Sequence, residues 1–262
     1  MKHRNMPYRN FVILAVLILS GLFVSGTASA QLTATANHDH ITVDFFYHGS
    51  TISVRGVSDP GTDLIIKMTS EDGNHTLRKK GKVGGFLWMN VGELEVENVP
   101  KVYFLHSTRN VDDILSRNEM DKYVIGYPAI KKHVKMNTSD EAEKERWFNE
   151  FVKFKETSNL YTTSTGKISV MDKNGEQNYY ILTEWPYQAP PGKYTVTVYA
   201  VKDKKVIETA TSNVLVEQVG MVKSFANMAK NNAALYGIIA ILAALTAGFG
   251  VGLVFRKNGG AH

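Results

Sequence analysis

Two clusters of side chains carry the residue types that chemistry needs. His38-Asp39-His40, with His48 beyond, could supply imidazole nitrogens to copper or zinc. Two imidazoles do not fill a coordination sphere, and the competing reading is a mobile polar leader with solvated histidines. The second cluster is Arg78-Lys79-Lys80 with Lys82, next to Gly84-Gly85 and Trp88. The chemistry there would be electrostatic: an anion or headgroup site, with glycines that let a ligand approach the backbone, or a surface for a partner. The competing reading is a solvated hairpin whose alternate lysines point outwards and protect a sheet edge. Gly81-Lys82-Val83-Gly84-Gly85 is no phosphate loop, since no Ser or Thr follows the lysine and the leading glycine is missing. The chain has no GxSxG, no HExxH and no dinucleotide fingerprint. The expectation is therefore a protein that is not an enzyme and carries no cofactor. Trp147, Phe148 and Phe151 share a helical face and read as core rather than as a ligand platform.

The segments that hold these clusters are bracketed by two apolar stretches. The first, Phe11–Val24, follows Lys2, Arg4 and Arg9 and precedes Ala28-Ser29-Ala30. A basic head, a short apolar core and small residues at the cleavage positions make a secretory signal, with cleavage expected after Ala30. The second, Ala233–Phe255, has 23 residues and no charge. As a helix it would be about 35 Å long, enough for a hydrocarbon core. Arg256 and Lys257 follow it at once, which agrees with a cytoplasmic C-terminus and a domain exported to the periplasm of a bacterial inner membrane. Within the span Ala240, Ala244, Gly248 and Gly252 recur every four residues, a stripe that would let another helix, from an integral membrane protein or a second copy, approach closely.

The formal net charge of +5 is confined to these ends, because residues 31–232 hold 25 basic and 25 acidic side chains. The exported region has no overall field for drawing in nucleic acid. There is no cysteine, which excludes disulfides and thiolate metal sites. A domain of this size can instead rely on its core.

Between the ends, alternation at Ile41, Val43 and Phe45, at Ile52 and Val54, and at Leu94 and Val96 predicts strands over 41–108. Glu71–Asn74 reads as a hairpin turn, and Gly81–Gly85 as a separator before the strand opened by Phe86. Thr138 and Glu141 form a capping-box signal for a helix from about Ser139 to Thr157, with a shorter one around Val111–Ser116. No element is assigned over 117–137. Strands return after 160 and end in a Pro-Gly-x-Tyr entry at Pro191–Tyr194 and a final hairpin to Glu217, like the last strands of many immunoglobulin-like sandwiches. The expected architecture is mainly β: an Ig-like β-sandwich over 31–217 with a helical insertion at about 110–160. An amphipathic helix over 218–232, the span over 233–255 and a tail over 256–262 complete it. Two smaller domains divided near residue 160 are the alternative.

With these residues laid out, the chain resembles a family of uncharacterised transmembrane proteins described chiefly from alphaproteobacteria. The likeness is carried by Leu77–Lys80 leading to Gly85–Asn90, by Val99–Tyr103, by the Pro-Gly-x-Tyr hairpin and by Leu235-Tyr236-Gly237. His38 and His40 do not belong to the pattern. The resemblance implies a bacterial envelope protein with no assigned activity. It also points to neighbouring anion exporters of the sulfite type, which would make this chain an accessory subunit.

Overall fold

A computed structural model describes residues 31–138 and 140–256, the side chains of Lys79, Val254 and Arg256 excepted. The signal segment, the residue expected to open the long helix (Ser139) and the tail beyond Arg256 lie outside the described residues.

The described chain is mainly β, with one apolar helix at its C-terminal end. The first sheet has the order β1 (Thr35–Ala36), β3 (Ser50–Ser58), β11 (Glu176–Trp185) and β10 (Ser169–Lys173). The second has the order β2 (His40–Val43), β13 (Lys205–Gln218), β12 (Gly192–Lys202), β4 (Asp63–Ser70), β7 (Tyr103–Ser107) and β9 (Tyr161–Thr165). Alternation decides which faces meet: Tyr179 and Ile181 of β11 and Ile52 and Val54 of β3 pack against Ile66, Val198, Val214 and Val216 of the second sheet. The second sheet mixes antiparallel pairs with two parallel ones, β2 with β13 and β7 with β9.

The run Leu64-Ile65-Ile66 is apolar without alternation because its sheet is covered on both sides. Leu64 and Ile66 enter the core between the sheets, whereas Ile65 enters a second core under helices. Those helices are α1 (Val111–Ile114), α2 (Arg117–Tyr123), α3 (Tyr127–His133) and α4 (Glu141–Thr157). They link β7 to β9 and fill the stretch 117–137 that alternation alone leaves blank. Phe148, Phe151 and Val152 of α4 are buried in the second core beside Tyr103, Tyr161 and Tyr199. The N-cap of α4 is Asp140, whose carboxylate accepts from the Ala142 N–H, and the Thr138 hydroxyl donates instead to Glu143 at 2.7 Å. The capping box expected at Thr138 is thus displaced by a better-placed carboxylate.

Three further expectations change. Residues 71–74 form no hairpin turn: β4 pairs with β12 and β7, and after Glu71 the chain continues as β5 (Asp72–Val83), which pairs with β6 (Leu87–Pro100). The turn is at Gly84-Gly85-Phe86, where both glycines take positive φ (+63° and +81°), a region that residues with a Cβ avoid. Phe45 belongs to no strand and is 71% exposed. The leader is no free polar segment: Leu32 is buried, β1 joins the first sheet and β2 the second, so residues 31–43 strap across both. The close approach needs Gly56, since a Cβ there would lie 2.0 Å from the Thr33 carbonyl oxygen.

Beyond β13 come α5 (Gly220–Asn231) and α6 (Ala233–Arg256), separated by the non-helical Asn232. The Val219 N–H donates to the Val43 carbonyl at 3.0 Å, which fixes the start of α5 against the end of β2. No residue of α5 is buried, so its apolar face does not lie on the β domain.

Candidate functional site

The basic cluster stands on an arm. From Arg78 to Glu93 every side chain with a described exposure is exposed apart from the position of Gly81, so about six residues of each strand, roughly 20 Å, stand clear of the body. The third strand of this sheet, β8 (Lys135–Met136), pairs only at the base, with Val96 and Glu97. The register sets Lys82 opposite Trp88, Lys80 opposite Asn90 and Arg78 opposite Glu93. Pleating therefore brings Arg78, Lys80, Lys82 and Trp88 to one face, with the Lys82 ammonium 5.5 Å from the Trp88 ring centroid. The Arg78–Glu93 pair is 3.8 Å apart and exposed on both sides, so it contributes little stability. Lys79 has a described backbone position opposite Gly92.

The opposite face was not foreseen as a site. Val83 pairs with Leu87, and Gly81 with Met89. Val91, extra in the register, lies over Gly81, where a Cβ would meet its Cγ2 at 2.8 Å. Val83, Leu87, Met89 and Val91 are each about half exposed, and Phe86 at the tip is 82% exposed. The two glycines of the tip make the turn rather than a ligand cradle. Alternation of Leu87, Met89 and Val91 in the sequence was the available signal, but it reads equally as a strand facing a core. Residues 73–92 contain no acidic side chain, so the arm is basic on one face and apolar on the other.

The arm leaves the body at a defined end. β13 runs towards α5. β12 is antiparallel to it and β4 antiparallel to β12, so β4 ends at Ser70 beside Tyr194, near the Gly192–Val216 pair. β5 and β6 thus depart from the end of the sheet that feeds α5 and α6.

Near the root of the arm, α4 carries a buried amine that periodicity did not reveal. Lys155 is 1% exposed, and its Nζ donates to His75 Nε2 and to the Lys101 carbonyl, both at 3.1 Å. It also lies over the Phe151 and Tyr161 rings. Burial, with the Lys101 charge, holds its pKa down at about 8. Burial, with Lys155 and Lys101, holds His75 down at about 4. The neutral imidazole is the form that can accept from the ammonium. A fully buried histidine, His106, bonds Ser164 Oγ through Nδ1 at 2.6 Å, and its Nε2 is buried without a partner among the described residues. Ser164 and His106 resemble a nucleophile and base, but among the described residues no carboxylate orients the ring on its far side.

The histidine leader gathers no ligand set. His40 Nε2 lies 3.5 Å from Glu217 Oε2, and His38 is exposed. Among the described residues no three His, Cys, Asp or Glu side chains converge as a metal site. On α6, Ala240, Ala244, Gly248 and Gly252 are all exposed, and a shallow groove runs along Ala244, Gly248 and Gly252, flanked on one side by Leu245, Phe249 and Leu253. A cleft of about 570 Å³ lies at the sheet edges, lined among others by His48, Asn159, Lys167, Glu184 and Trp185.

A mainly β domain with a projecting arm, followed by a helix long and apolar enough to cross a membrane (Ala233–Leu253), defines a membrane protein with one candidate span among the described residues. Residues 31–257 match the family described as "Putative transmembrane protein (Alph_Pro_TM)", and the chain belongs to it. No curated protein and no solved structure matches the chain.

Proposed function

We propose that this is a single-span bacterial inner-membrane protein whose exported domain uses the β5–β6 arm to bind a membrane partner. It acts as a non-enzymatic accessory or scaffold. The observation that carries this reading is the unpartnered apolar face of the arm. A two-stranded ribbon is marginal on its own in water, and a contiguous apolar face rimmed by cations is a surface that another molecule covers. The arm departs from the end of the sheet that leads to the span, which favours a partner at the membrane. The export signal, the short apolar segment after basic residues and Arg256 beyond the span favour a periplasmic domain and a cytoplasmic tail. The groove on α6 would let the same partner, or a second copy, approach closely.

We read the body as one Ig-like sandwich with a helical insertion. Each of the two larger sheets draws strands from both halves of the chain, which disfavours two domains divided near residue 160. The Tyr194 hydroxyl donates back to the Pro190 carbonyl, and its ring meets Trp185 edge-on at 4.7 Å. That arrangement is like the tyrosine corner of such sandwiches.

A photocrosslinking residue in place of Phe86, in cells, tests the arm. The expected product is a discrete adduct with an integral membrane protein, lost when Leu87→Asp and Met89→Asp are introduced together. No adduct, or one indifferent to those changes, would overturn the reading. The alternative is an anion-binding module serving a transporter, a sulfite-type exporter included. The cleft containing Lys167 and His48 is the observation that favours it, and a thermal shift of the protein with sulfite or sulfate, removed by Lys167→Ala, is its test.

A further inference from the structure

The two ends of the β domain differ in kind. At the end remote from α5 the turns are polar: Asp59-Pro60-Gly61 between β3 and β4, Asn174-Gly175 between β10 and β11, and Asp203-Lys204 between β12 and β13. At the end that feeds α5 they carry aromatic side chains that nothing among the described residues covers. Phe45 and Phe46, in the loop between β2 and β3, are 71% and 75% exposed, and Tyr187, in the loop between β11 and β12, is 65% exposed. The two loops share an end because Ser50 pairs with Trp185. They share it with α5 because Val43 pairs with Gln218, one residue from Val219.

The aromatic loop is built. The Asp44 carboxylate accepts from the Phe46 N–H at 2.9 Å, the Tyr47 N–H returns to the Asp44 carbonyl, and the two phenyl rings meet edge to face at 5.3 Å. This short turn holds both rings outward rather than letting them fold onto the core. Beside it, α5 exposes Met221 and Phe225 on an apolar face with Lys223 and Lys230 on the other side, the pattern of a helix that lies in the plane of a membrane surface. Asn232, with φ −139° and ψ 54°, breaks the helix before α6, so α5 and α6 are not one continuous rod. Were α5 to stand along the membrane normal it would lift the domain by about 18 Å, and all of this apolar surface would stay in water.

We propose that the β domain rests on the bilayer its own span enters, with Phe45, Phe46, Tyr187 and the apolar face of α5 seated at the boundary between headgroups and acyl chains. Continuity decides the occupant. The surface lies one residue from α5 and α5 one residue from the span, so the lipid surface is the nearest apolar medium. Tyr favours the interface itself, and Phe belongs to the apolar face of segments that lie in it. Seating the domain this way fixes the height from which the arm works, and it does not depend on what the arm binds.

Because the chain has no cysteine, single nitroxide labels can be attached without altering anything else. The full chain, reconstituted in nanodiscs of phosphatidylethanolamine and phosphatidylglycerol, would carry a label through Phe46→Cys, Tyr187→Cys, Phe225→Cys or, at the polar end, Asn174→Cys. Power saturation should give labels at 46, 187 and 225 an oxygen-to-nickel-chelate accessibility ratio several-fold above that at 174. Ratios at 46 and 187 equal to that at 174 would overturn the proposal. So would labels at 46 and 187 shielded from both reagents, which would mean that a second copy covers them. Since no other protein is present, either outcome leaves the partner reading of the arm untouched.

Discussion

His75 and His106 are buried enough to be held neutral down to about pH 4 in the folded chain, whereas an unfolded histidine titrates near 6.5. Between those values the unfolded state binds protons that the native state does not, so stability falls as pH falls from about 6.5 to 4. His75 is only half buried, and solvent screening reduces the effect to ~1–2 kcal/mol for each histidine. Denaturant melts at pH 7 and pH 5 should show this loss, and His75→Gln should remove about half of it, leaving the share of His106. An unchanged midpoint between the two pH values would refute the buried Lys155–His75 pair. The Asp63 carboxyl, held below its ordinary range by the Arg109 side chain, acts only below this window. None of this was legible in the sequence. Lys155 sits in the charged-looking run Lys153–Glu156, and only the packing of α4 against Tyr161 and the root of the arm removes it from water.

At the scale of elements, the leader and the arm carry the argument. Gly56→Ala would put a Cβ against the Thr33 carbonyl and the Tyr179 hydroxyl and so lift β1 from its sheet. Overpacking of this kind costs about 1–3 kcal/mol. The expected readout is a lower melting temperature together with faster proteolysis within residues 31–40, and a variant as stable and as resistant as the parent would show that the strap is dispensable. Leu87→Asp with Met89→Asp should leave the melting temperature within a degree or so, because both side chains face solvent. Strand content, the final hairpin and the long helix were all readable from alternation and helical spacing, because each buries one face of one element. The origin of the arm was not. Ser70 and Asp72 are joined by a single residue, yet the strands on either side belong to different sheets, and local pattern carries no record of which strand pairs with which. The cations of the arm were visible by type, whereas the exposure of Leu87, Met89 and Val91 is a tertiary fact.

At the scale of the molecule, the chain is proposed as an anchored platform: a candidate span, α5 laid on the membrane surface, a β body, and an arm that leaves from the end of the sheet that feeds α5. The apolar span was the most legible feature, since no pairing is needed to recognise it. Its groove belongs to the same account. Gly248→Leu with Gly252→Leu would fill the groove, and crosslinked complexes formed through the span should disappear, while unchanged crosslinking would remove α6 from the interface. The central claim, that the arm holds a membrane partner, is met most directly by purifying the intact protein in mild detergent and measuring the stoichiometry of what accompanies it. The account predicts an integral membrane protein in fixed ratio with the parent chain and absent from the Leu87→Asp, Met89→Asp variant. A monodisperse monomer from the parent chain would contradict it.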